Sequence, residues 1–135
     1  MDPCVFCRIA QGMEPSYPVF ENKHVLAFLD NNPFTQGHTL VIPKRHYINM
    51  FDIDVETLEE VVGVVHLLVK RYEKKLGMSG VNILNLNGAD GQQTVYHFHI
   101  HLIPRFSGDN LVPWIQALPR VKSDLRSVQT KLMND

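Results

Sequence analysis

Three of the seven histidines fall in five positions, in the run Val95-Tyr96-His97-Phe98-His99-Ile100-His101-Leu102-Ile103-Pro104-Arg105. Imidazoles in such density can chelate a metal or attack an electrophile. The alternation has the period of two that a strand requires, so Phe98, Ile100 and Leu102 share one face and the three histidines the other. A strand rises about 3.3 Å per residue, which sets the first and third histidines roughly 13 Å apart. They cannot all address one reacting atom. If His99 does a covalent step, its neighbours touch other parts of an extended ligand or serve a second site.

Cys4 and Cys7, the only cysteines, are spaced Cys-x-x-Cys. A thioredoxin-type dithiol would need a preceding strand, and three residues cannot supply one. Zinc is the better reading. Two thiolates make half of a tetrahedral site, so two further ligands are required, histidine being the usual partner.

Length and composition bound what can position these groups. The 135 residues suit one domain, with 44% apolar and 20% charged residues and a net charge of −1. That balance gives no electrostatic footprint for nucleic acid, and no stretch is long enough to span a membrane. The expectation is a cytoplasmic protein that binds any anionic ligand locally.

Taken in order, Cys4 to Gly12 reads as a short helix with Val5, Phe6 and Ile9 as its stripe. Val19-Phe20-Glu21 and His24 to Asp30 read as a hairpin turning at Asn22-Lys23, and His38 to Ile42 as a third strand stopped by Pro43. A long helix is predicted from Val55 to Leu76, capped by Asp52 or Asp54 and ended by Gly77. Its stripe is Leu58, Val62, Val65, Val69, Tyr72 and Leu76, widened by Val61, Val64 and Leu68. So broad a surface implies a second partner, most simply the same helix of another copy, which with an exposed sheet edge would make a homodimer. Gly80 to Leu86 is a fourth strand, Gly88 to Gly91 a loop, and Thr94 to Pro104 the histidine strand. Pro113-Trp114-Ile115 is expected to pack back, and Ser123 to Met133 to form a terminal helix. The fold class is α+β, an antiparallel sheet of about five strands with one long and one or two short helices.

The signature His97-Phe98-His99-Ile100-His101-Leu102-Ile103, with Gly91-Gln92-Gln93-Thr94 before it and Gly37-His38-Thr39-Leu40-Val41-Ile42-Pro43-Lys44-Arg45-His46 upstream, resembles the histidine triad (HIT) superfamily of nucleotide hydrolases and transferases. The resemblance implies a single HIT domain over 1–135, with a core at about 4–106 and a tail at 107–135. It implies that His99 attacks the α-phosphorus of a purine nucleotide, a nucleoside phosphoramidate or a dinucleoside polyphosphate, through a covalent nucleotidyl-histidine. Neutral imidazole, with a reference pKa near 6.5, suits that role. Gln93, Thr94, His101 and backbone N–H groups of the glycine-rich loop are the implied phosphate donors, and His38 orients the nucleophile. Asp30 is the implied ribose carboxylate, and Phe6, Ile9 and Phe28 the walls around the base. Structural zinc is implied at Cys4, Cys7, His46 and His97. One departure stands out: Leu86 occupies a position where many members carry an amide, and Asn87, rather than Asn85, is the favoured substitute. The alternatives are a hydrolase using the triad as metal ligands, or a nucleotide-binding module without turnover. His24 and His66 receive no role.

Overall fold

The computed structural model describes residues 2–111 and 119–134; Pro113-Trp114-Ile115 lies outside them. Helix α1 (Val5–Ala10) precedes the hairpin β1 (Pro18–Glu21) and β2 (Val25–Leu29), then β3 (Thr39–Pro43). Helix α2 (Val55–Leu76), β4 (Gly80–Leu84), β5 (Ile100–Arg105) and α3 (Leu125–Met133) follow. The five strands form one antiparallel sheet in the order β1-β2-β3-β5-β4.

Alternation along the central strands builds a different core on each face. Val25, Ala27, Val41, Phe98, Ile100 and Leu102 pack with Val61, Val64, Val65, Leu68 and Tyr72 of α2. Leu26, Phe28, Leu40 and Ile42 point the other way and pack with Phe6 of α1. Both faces of β2 and β3 are therefore buried, which is why these strands read as near-continuous apolar runs.

Helix α2 has the predicted limits. Asp54 caps it by accepting from the Thr57 N–H, and Gly77 closes it with a left-handed φ of 67°. Its packed face differs from the predicted stripe: Val61, Val64 and Leu68 lie inside, whereas Val62 is 48% exposed. The sheet selects the Val61-Val65-Leu68-Tyr72 arc, and the Tyr72 hydroxyl lies 2.6 Å from Thr39 Oγ1 on β3.

The histidine strand is shorter than its alternation implied. The β3–β5 ladder covers Thr39↔Leu102, Leu40↔His101 and Val41↔Ile100. Beyond it β3 ends at Pro43, which has no N–H to continue a ladder. Residues 94–99 keep the alternation of faces, since Phe98 and Ile100 join the α2 core, but hold on by single bonds such as Phe98 N–H to Tyr47 O at 2.7 Å. The fourth strand also stops early, at Leu84 rather than Leu86.

Candidate active site and metal centre

Strand register assembles the site on the α1 face of the sheet. Phe28 pairs with Leu40, and Leu40 with His101, so the three form one row across β2, β3 and β5. One step further along, the Asp30 N–H donates to His38 O at 2.9 Å, which sets the Asp30 carboxylate and the His38 ring together. His38 Nε2 lies 3.0 Å from His101 Nδ1 and 3.6 Å from Asp30 Oδ2. The His99 and His101 ring centroids are 5.0 Å apart.

The backbone decides which nitrogen of each ring carries the proton. His99 Nδ1 is 2.7 Å from His97 O, and a carbonyl only accepts, so Nδ1 holds the hydrogen and the Nε2 lone pair is left free. His38 Nδ1 accepts from the Phe34 N–H at 3.1 Å. Burial is the leading cause that lowers His99 and His38 below the ordinary imidazole value, and it pushes His101 down to about 4.

Beside these rings lies a cavity of about 500 Å³, lined by Val5, Phe6, Ile9, Phe28 and Leu40 among others. Phe6 meets Phe28 edge-on at 5.5 Å and His99 at 5.2 Å. The volume falls within the range of small-ligand pockets.

Cys4, Cys7, His46 and His97 converge behind α1, with all four ligand atoms within 4.8 Å of one another. His97 Nε2 donates to Pro43 O at 2.8 Å, which aims the Nδ1 lone pair at Cys4 Sγ and Cys7 Sγ, each at 3.4 Å. His46 Nδ1 lies 3.2 Å from His97 Nδ1 and 3.3 Å from Cys7 Sγ. Tetrahedral zinc with bonds of about 2.0–2.3 Å separates its ligands by roughly 3.3–3.8 Å, so this donor set fits zinc. Burial and the neighbouring Cys4 push the Cys7 thiol up to about 12, and a divalent cation supplies the charge that would let both thiols ionise.

Several expected phosphate donors are occupied elsewhere. Gln93 is buried, donates to Ile48 O at 2.7 Å and Val95 O at 3.0 Å, and accepts from Asn49 and from Gly88 N–H. Both its N–H bonds are spent within the protein, and in this arrangement Gln93 braces the surrounding loops. Within the glycine-rich loop, Gly91 and Gln93 N–H groups donate to Gly88 O, and Gln92 N–H to Ala89 O. The turn is tight enough that a Cβ on Gly91 would collide with the Asn87 carbonyl. Asn87 accepts from Met50 N–H and donates to Asn85, whose own amide donates to His99 O at 3.0 Å. Asn85 thus supports the histidine segment, a role that sequence reasoning missed. Thr94 is exposed, and no hydrogen bond engages its hydroxyl among the described residues. His24 pairs with Glu60 at 2.7 Å away from the site, and His66 is exposed.

A family model described as HIT domain matches residues 11–108. An uncharacterised HIT-like protein of Methanocaldococcus jannaschii is 46% identical over 109 residues, covering 81% of this chain and 84% of that protein. A zinc-bound histidine triad family protein from Mycobacterium smegmatis superposes with a TM-score of 0.79 at 34% identity, covering 96% of this chain and 95% of that one. A histidine triad nucleotide-binding protein from Candida albicans gives 0.81 at 32% identity over 96% and 94% of the two chains. The arrangement of helices and sheet agrees with these structures, and the chain belongs to the HIT domain family.

Proposed function

We propose that this protein is a nucleotide hydrolase or nucleotidyl transferase that works through a covalent intermediate on His99. The observation that carries the reading is the 2.7 Å bond from His99 Nδ1–H to His97 O, which leaves the Nε2 lone pair as the attacking group beside the pocket. The nucleotide-binding and zinc-bound relatives support the same reading.

The base would enter between Phe6, Ile9 and Phe28, whose apolar walls accept a purine ring, and the Asp30 carboxylate would accept the two ribose hydroxyls. That anchoring brings the α-phosphorus to His99 Nε2. The P–Nε2 bond forms as the bond to the leaving amine or phosphate breaks, and the electron pair departs with the leaving group, an amine taking its proton from solvent. His101 Nε2–H would donate a hydrogen bond to a phosphate oxygen throughout, with the exposed Thr94 hydroxyl beside it. Water then attacks the phosphorus, its proton passes to solvent, and the P–Nε2 electrons return to His99.

Cys4, Cys7, His46 and His97 would hold zinc in a closed tetrahedral site. Such a site supplies cohesion, fastening α1 and its pocket wall to the sheet, with no open position for substrate. We also propose a homodimer through α2 and a sheet edge. Val62 and Leu67 on α2 and Ile83 on edge strand β4 are exposed apolar side chains a two-fold partner would cover. No described helix is long and apolar enough to cross a membrane.

The test is intact-protein mass spectrometry after acid-quenched mixing with adenosine phosphoramidate and with a diadenosine polyphosphate. A transient gain of one adenylyl group, absent in His99→Ala, is expected, and the faster substrate names the branch. Turnover without an adduct would point to activated water instead, and no turnover to a binding module.

A further inference from the structure

We propose that the main-chain N–H of Phe34 is a positioning group for this reaction: it selects the tautomer of His38, and through it keeps the proton of His101 on Nε2, where it hydrogen-bonds a phosphate oxygen. The inference rests on the nucleotidyl-histidine reading and assigns a role to the loop between Asp30 and His38.

Phe34 N–H reaches His38 Nδ1 at 3.1 Å. An amide only donates, so that nitrogen must present its lone pair. His38 is 1% exposed and burial disfavours its charged form, so its single proton sits on Nε2. From there it has one close ring acceptor, His101 Nδ1 at 3.0 Å. His101 accepts on Nδ1 and therefore carries its own proton on Nε2. One amide thus sets two rings.

Without that amide the pair would be bistable. The reverse arrangement, with the His101 Nδ1–H donating to His38 Nε2, makes an equally good bond between the rings. It would leave His101 Nε2 as a lone pair, unable to donate to phosphate oxygens and repelled by them. Stranding the Phe34 N–H opposite a protonated Nδ1 biases the choice by about tenfold or more, the worth of an unmade buried hydrogen bond. Asp30 Oδ2, 3.6 Å from His38 Nε2, pulls the same way, since a carboxylate favours the proton on the nitrogen facing it.

The loop is built to hold this contact. The His38 N–H donates to Thr35 O at 3.1 Å, and the Phe34 ring stacks on the His38 ring at 5.4 Å and 16° although Phe34 is 66% exposed. The same geometry argues against a cation among Asp30, His38 and His101, whose ligand atoms also lie within 4.8 Å of one another. A metal on His38 Nε2 would drive its proton onto Nδ1, against the amide. A hydrogen-bonded chain from the Phe34 N–H through His38 to His101 is the assignment that satisfies every group.

The test reads tautomers directly, by long-range ¹H–¹⁵N spectra of the zinc-loaded full chain at about pH 7.5, above the ordinary imidazole value. The wild type is expected to show Nε2–H on His38 and on His101; Nδ1–H on His38, or a mixture, overturns the inference whatever the variants do. Phe34→Pro deletes the N–H, whereas Phe34→Ala keeps it. Phe34→Ala should retain the wild-type pattern, and Phe34→Pro should give mixed tautomers. With adenosine phosphoramidate, kcat of Phe34→Pro should fall about tenfold below that of Phe34→Ala at similar KM. A fall in kcat of Phe34→Pro with the wild-type tautomers intact would make the loop merely structural and overturn the inference. Absence of any adenylyl-His99 would defeat the proposed function instead, leaving the wild-type spectrum to stand on its own.

Discussion

His97 and His99 are joined through one residue that faces two ways: the His97 ring turns its Nδ1 toward Cys4 and Cys7, while the His97 carbonyl accepts the His99 Nδ1–H at 2.7 Å. A group that fixes the first ring therefore also fixes the orientation of the second. Helix α1 adds a parallel link, because Cys4 and Cys7 flank Phe6, which touches His99.

Zinc removal follows from that link. Stripping the metal with a chelator, or replacing Cys7 with Ser, is expected to lower the thermal midpoint by several degrees and to raise the KM for nucleotide more than it lowers kcat. Metal content and a thermal scan check the first part. A midpoint unmoved by complete zinc loss would detach the thiol cluster from the fold.

Phe6 is asked to serve both core and pocket. Phe6→Ala should cost about 3–5 kcal/mol of stability, as removal of a buried ring does, and Phe6→Leu much less. The leucine variant separates the roles: chemical denaturation should find it near wild type, while its nucleotide KM rises severalfold. An unchanged KM would return Phe6 to the core alone.

How far these relations were legible in the sequence differs with their range. The alternation from Val95 to Leu102 correctly assigned Phe98, Ile100 and Leu102 to one face, because period-two geometry is local. The bounds of α2 were legible for the same reason, in Asp54 and Gly77. The face that α2 buries was not, since several arcs were apolar enough and the sheet chose among them. Gln93 is the sharpest difference. The resemblance implied a phosphate donor there, but its four partners come from residues 48, 49, 88 and 95, and only the folded chain brings them within reach. The Phe34 amide left no trace in side-chain types, because a main-chain N–H has none.

Gln93→Ala accordingly tests scaffold against chemistry. It strands Asn49 and the Gly88 N–H and frees the carbonyls of Ile48 and Val95, so a loss of about 1–3 kcal/mol is expected. Gln93→Glu keeps the acceptor yet loses both donors, and should be intermediate in stability. If either variant instead lost activity a thousandfold at wild-type stability, a direct role at the phosphate would be restored to Gln93.

Acid should destabilise the protein through its buried rings. His101 is held down to about 4 from an ordinary 6.5, and His38 is lowered in the same direction, both chiefly by burial. Between those values the unfolded chain binds a proton that the folded chain refuses, so stability rises with pH across that window and levels off above it. Denaturant midpoints in a pH series would show the slope, and His101→Asn should make it shallower. A slope that the substitution leaves intact would move the acid sensitivity to other groups.

Gly37 fixes where the His38 ring begins, and its replacement should test how much strain that position bears. The residue has a φ of +87°, in the left-handed region that glycine adopts without penalty, and a Cβ there would stand 2.6 Å from a Leu76 methyl at the end of α2 and 3.3 Å from Pro104. Two separate costs arise for Gly37→Ala: the backbone strain, about 1 kcal/mol or more, and the displacement of Leu76. The second is relievable and the first is not. Adding Leu76→Ala should therefore leave the penalty of Gly37→Ala smaller than in the wild-type background but still positive, as a double-mutant cycle in denaturant would measure. Because the His38 N–H and O bind Thr35 and Asp30 on either side, any shift at residue 37 passes into the ring that pairs with His101. The expected signature is a fall in kcat beyond what the stability loss explains, and a penalty abolished by Leu76→Ala would show that packing alone, with no backbone strain, governs this corner.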